Sequence, residues 1–110
     1  MAHQIIEAER LTTYCTEMAR FEGRPLFEWL TQKAAELEMA GVTVHKAVAG
    51  FGRHRRMHHQ HLLSISDDLP MSVEIIDISE RIGTFLQAAE EALADHTYIR
   101  EKVRWHRPEG

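Results

Sequence analysis

The segments of this chain follow one another as strand, helix, strand, strand, helix, strand. That order predicts an α+β domain of the ferredoxin-like kind: a βαββαβ chain with a four-stranded antiparallel sheet and both helices on one face. Two observations carry the expectation. Two segments place apolar residues at helical spacing, whereas four others are β-branched or alternate apolar with polar. The chain also has 110 residues, 44% hydrophobic and 27% charged, which suits one soluble domain spanning 1–110.

The first strand is read over 10–17, "RLTTYCTE", with Leu11, Thr13 and Cys15 on one face. The first helix begins at Pro25, a residue suited to the first helical position because its missing N–H has no partner there anyway. It runs through "PLFEWLTQKAAELEMA" with Leu26, Leu30, Ala34 and Leu37 on one side, and Gly41 is expected to end it. The second strand is "VTVHKAVAGF", 42–51, with Val42, Val44 and Val48 sharing a face. The third is "MSVEIIDI", 71–78, which starts just after Pro70.

Ser79 reads as the N-cap of the second helix, and Glu80 suits the positive end of its dipole. Ile82, Phe85, Leu86, Ala89 and Leu93 then form an amphipathic stripe. The last strand, "YIREKVRWH" at 98–106, alternates Ile99, Val103 and Trp105 against Tyr98, Arg100, Lys102, Arg104 and His106. Apolar residues on both sides of several strands, beside a sheet face without helices, lead to an expectation of oligomers.

Several function classes lose support at once. A net charge of −4 gives no basis for nucleic-acid binding. No window approaches the ~20 apolar residues of a membrane span, and "MAHQIIEAER" is acidic where a signal peptide needs an apolar core, so a cytoplasmic protein is expected. The single Cys15 sits mid-strand and reads as packing rather than as a nucleophile. With no Ser-His-Asp motif, Walker loop, dinucleotide fingerprint or carboxylate dyad, the chain is not expected to be an enzyme and requires no cofactor.

The chemistry concentrates in "GFGRHRRMHHQH", inside a connection of 52–70 that is too long for a simple hairpin. Gly50 and Gly52 allow close backbone approach, and Arg53, Arg55 and Arg56 can fork onto phosphate or carboxylate oxygens. "HLLSIS", 61–66, is read as a continuation of the hairpin. His54, His58, His59 and His61 raise a metal-binding alternative, although no Cys or carboxylate lies beside them and neither helical nor extended spacing gathers all four. Arg24, Lys46, Arg100 and Arg104 are further candidate anion contacts. For the stripe on the last strand, cross-strand pairing with Glu7, Glu9 or Glu74 is the competing reading.

"GRPLFEWL", "AGVTVHKAVAGFG", "HLLSISDDLPMSVEIID" and the "FL" of the second helix resemble a bacterial PII-like family catalogued as domain of unknown function 190. The resemblance runs from about Arg10 to Arg104. It implies a ferredoxin-like subunit assembling as a homotrimer, with adenine nucleotides or related effectors bound in clefts between subunits. It also implies a long loop, here about 52–65, that reports occupancy to a partner such as a membrane transporter or channel. Where many PII proteins carry a glycine- and lysine-rich ATP loop, this chain has "LADHTYI".

Overall fold

The computed structural model describes residues 2–50, 58–59 and 68–109. Strand β1 (His3–Thr16) is followed by a short hairpin of β2 (Arg20–Phe21) and β3 (Arg24–Pro25), then helix α1 (Leu26–Glu36) and β4 (Gly41–Lys46). Next come the paired fragments β5 (Ala49–Gly50) and β6 (His58–His59), then β7 (Pro70–Asp77), helix α2 (Ser79–Ala88) and β8 (Tyr98–Pro108). The main sheet is ordered β4-β7-β1-β8, and every neighbouring pair is antiparallel, as the βαββαβ reading requires.

Alternation decides which face the helices cover. Val73 and Ile75 of β7 and Leu11 of β1 are fully buried with Leu26, Leu30, Ile82 and Phe85 from the two helices. Leu11 stands opposite Ile75, and Thr13 opposite Val73. Successive side chains point to opposite faces, so Ile6, Ala8 and Thr12 project from the other side, across from Trp105, Val103 and Ile99. That second face carries a mostly apolar row interrupted by the Arg10–Glu101 ion pair at 3.1 Å.

The element boundaries differ from the sequence expectation in instructive ways. β1 starts seven residues earlier than expected, because Glu7, Glu9 and Arg10 break the apolar alternation while pairing with β8 sustains the strand. Pro25 is the N-cap of α1 rather than its first helical residue. The hairpin before it was not expected. Its two turn residues, Glu22 at φ 52° and Gly23 at φ 77°, both adopt the positive φ that a tight two-residue hairpin loop needs. Glu22 accepts a hydrogen bond from Trp29 Nε1 at 3.1 Å, and Phe21 meets the Trp29 ring edge-on, so the hairpin is fastened to α1.

Gly41 does not end α1; it opens β4. The helix stops at Leu37, and Glu38 takes the left-handed conformation at φ 56°. Glu38 N–H donates to Ala35 and Met39 N–H to Ala34, the bond pair of a Schellman cap with glutamate in the glycine position. Glu38→Gly is therefore expected to stabilise the fold by about 0.5–1 kcal/mol, read as a higher urea midpoint.

The second strand also breaks where continuity was expected. Ala47 N–H donates to Pro70 O, and the chain then leaves the sheet, so Val48 is 75% exposed instead of sharing a face with Val44. Ser79 is not the N-cap of α2; Ile78 holds that position, and the Ser79 hydroxyl turns to β1 instead. α2 itself ends at Ala88, but Ala89 and Leu93 continue the buried stripe through the turns that follow. Among the described residues no helix is long and apolar enough to cross a membrane.

Candidate functional site

The basic residues singled out above fall in separate places. Arg24, on the short hairpin, donates to Gln32 Oε1 of α1. Lys46 ends β4 and pairs with Glu17 at 2.9 Å, close to where the 47–69 connection leaves the sheet. Gly50 lies at that root too, and a Cβ there would stand 3.3 Å from Pro70 Cγ, so glycine suits the close approach. Arg104 stands exposed opposite Glu7 in the register. Gly52, Arg53, Arg55, Arg56, His54 and His61 lie outside the described residues, as do the side chains of His58 and His59 and the segment 61–66. The anion loop and the histidine alternative rest on sequence alone. Among the described residues, no three His, Cys, Asp or Glu side chains gather as a metal site.

Arg100 is the best defined of the cations. It lies on the helix-covered side of β8, opposite Leu11, and its Nε donates to Glu9 Oε1 at 2.6 Å. Glu9 also accepts the Ser79 hydroxyl at 2.6 Å, which ties the start of α2 to two strands. The Arg100 guanidinium, with Ser79 adding to it, holds the Glu9 carboxyl below its ordinary value of 4.5. This pairing was the competing reading of the stripe, and at Arg100 it applies.

The sign of the pH effect follows. A carboxyl with a lowered folded value contributes stability above its ordinary value, and loses that contribution as the pH falls through the folded value. Glu9→Gln is expected to destabilise by about 1–2 kcal/mol at neutral pH. The difference from the parent should shrink as the pH falls below 4.5 and through the lowered folded value. Urea midpoints measured at neutral pH and across the acid range read it directly.

Beside Arg100 a cleft of about 550 Å³ opens between α2 and β8. Gly83, Leu86 and Gln87 form its helical wall, Tyr98 and Arg100 its strand wall, and His96 closes one end. Tyr14 N–H donates to Thr97 O at 2.9 Å, fixing the turn that carries His96 against β1. The volume is in the range of small-molecule sites. Sequence reasoning named only Arg100 here. The signal it passed over was Gly83, a helix-interior glycine with no turn to explain it.

Cys15, half-buried near Asp68, has its thiol pushed up to about 11 by burial, with the Asp68 charge adding to the shift. It is a poor nucleophile at neutral pH, in line with a packing role.

These features define a PII-like α+β fold: a four-stranded sheet with helices on one side, an uncovered second face and a long insertion after the second main-sheet strand. The chain belongs to the family of domain of unknown function 190, described as an uncharacterized ACR, whose profile matches residues 8–105. A UPF0166 protein of Aquifex aeolicus is 33% identical over 84 residues, covering 76% of this chain and 80% of that protein.

Two solved structures show the same fold. CPII, a nitrogen regulatory PII-like protein from Thiomonas intermedia K12 bound to ADP, AMP and bicarbonate, superposes with a TM-score of 0.71 at 17% identity. The match covers 97% of this chain and 95% of that one. CutA from Synechococcus elongatus matches with a TM-score of 0.57 at 13% identity, over 92% and 83% of the two chains.

Proposed function

We propose that this chain is a single-domain, cytoplasmic PII-like signalling protein that acts by binding rather than by catalysis. It assembles as a homotrimer and takes a small anionic effector, an adenine nucleotide, in the clefts between subunits. Arg53, Arg55 and Arg56 hold the anion with Gly50 and Gly52, and Arg24, Lys46 and Arg104 serve as secondary contacts. Binding changes the state of the segment 52–65 through differential contact, and that segment acts on a partner such as a membrane transporter or channel.

The observation that carries the reading is the uncovered sheet face. Ile99 is 42% exposed there, beside Val103 and Trp105 on β8, the outer strand of the sheet. A monomer gains nothing by presenting such a row to water. Support for the effector comes from the nucleotides bound to CPII, which shares the fold.

Thermal unfolding of metal-free protein tests the proposal, with ATP, ADP, AMP, cyclic AMP, zinc and copper added separately. A ligand that binds only the folded state raises the melting temperature. A rise with an adenine nucleotide, lost on joint replacement of Arg53, Arg55 and Arg56 by alanine, is the expected result. A rise with metal alone, lost when His54, His58, His59 and His61 are replaced, would substitute the metal reading. No rise with any of them would leave a trimer that docks without a ligand.

A further inference from the structure

Given the homotrimer proposed above, on which this rests, we infer that the Arg10–Glu101–Glu74 cluster fixes how copies of this chain seat on one another. It sets their number and register on the uncovered sheet face, and three observations lead to it.

The first is placement. On that face β8 presents Ile99, Val103 and Trp105, and β1 presents Thr12, Ala8 and Ile6 across from them. Arg10 and Glu101 stand opposite each other in the middle of this row, with side chains 40% and 42% exposed. Glu74 of β7 lies on the same face, between Thr12 of β1 and Thr43 of β4. Ions at the centre of a face, unlike ions at its rim, lose their water when a second surface covers it.

The second is the charge count. Arg10 gives its Nε at 3.1 Å and a terminal nitrogen at 3.4 Å to Glu101. Glu101 raises the Arg10 pKa above its ordinary value, and the Glu74 charge adds a smaller push. Among the described residues no hydrogen bond or ion pair engages Glu74. The cluster therefore holds one carboxylate in excess. An uncharged surface laid over it would strip that carboxylate of water and return no partner, which is costly.

The third is what the same face offers in return. His45 of β4 lies on the side of Thr43, opposite Ser72, and is exposed. An imidazole supplies an N–H donor. Each copy thus carries an unanswered carboxylate and a free donor on one face, and this complementarity names the occupant as a second copy. One seating brings the donor of the second copy to Glu74 of the first. A slid or rotated seating leaves the carboxylate against apolar side chains. The apolar row drives association, and the cluster rejects the wrong arrangements, as a lone polar residue does in a coiled-coil seam.

The experiment is sedimentation velocity of the full chain at neutral pH over a range of concentrations. It compares the parent, Arg10→Ala, and the triple variant Arg10→Met, Glu101→Leu, Glu74→Val. Folding of each is checked by urea unfolding, and Glu74→Val alone carries the same test if the triple variant does not fold. The parent is expected to form one discrete size. Arg10→Ala leaves two carboxylates on the face, so half-assembly should need about tenfold more protein or higher. The triple variant should assemble at least as readily as the parent but spread over more than one size. A single size equal to the parent's in the triple variant, or unchanged assembly in Arg10→Ala, would overturn the inference and leave the homotrimer standing. A parent that stays monomeric up to about 100 μM would defeat the homotrimer, and the role of the cluster with it.

Discussion

Replacing Phe85 by alanine is expected to lower the free energy of unfolding by about 3–5 kcal/mol, the largest effect of any single substitution considered for this fold. Phe85 is fully buried and, among the described residues, is the largest side chain with no exposure. It belongs to one cluster with Leu11 of β1, Val73 and Ile75 of β7, and Leu26 and Leu30 of α1. Its ring therefore joins both helices to the two central strands. Truncation forfeits its transfer free energy and leaves a void that a close-packed interior closes only in part. Phe85→Leu keeps much of the volume and is expected to cost less than about 1.5 kcal/mol. Urea unfolding at one fixed protein concentration reads both, since assembly would add its own concentration dependence. Equal losses in the two variants would contradict the packing described.

Asp77→Ala is expected to cost about 2–4 kcal/mol. The carboxylate at the end of β7 is 5% exposed, and three groups converge on it. Ala40 N–H donates at 2.9 Å, Ile78 N–H at 2.7 Å and Arg81 Nε at 3.3 Å. Arg81 in turn donates to Leu37 O and Glu38 O at the exit of α1. A single carboxylate thus ties the segment after α1 to the start of α2: it accepts the Ala40 and Ile78 N–H groups and holds Arg81, which answers the carbonyls left over at the end of α1. Alanine strands those donors. Asp77→Asn keeps one acceptor oxygen and should recover roughly half of the loss. If alanine and asparagine were equally mild, the Asp77 network would not be a structural tie.

Helix stripes and strand alternation made the fold legible in advance. Ile82, Phe85, Ala89 and Leu93 are all buried, as their spacing requires. Termini were harder to read, because their chemistry is set by partners distant in sequence. Ser79 has the composition of an N-cap, yet its hydroxyl bonds Glu9, seventy positions away. Gly41 has the composition of a helix stop, but Glu38 accepted the left-handed conformation first.

The same contrast governs the candidate site. Arg100 was recognisable as a cation on a strand face, and its pairing with Glu9 was among the readings open from sequence. The cleft beside it was not visible. Its one signature in residue order is Gly83, a glycine inside a helix, whereas the open space over it is set by how α2 and β8 pack. The cluster of arginines and histidines that draws the eye in the sequence lies outside the described residues, so its role rests on chemistry and resemblance.

The most direct test of the central claim is equilibrium dialysis of the purified full-length chain against labelled ADP. Saturable binding approaching one ADP per protomer is the result this account predicts. Absence of saturable binding up to about 1 mM ADP, with the protein folded throughout, would contradict it.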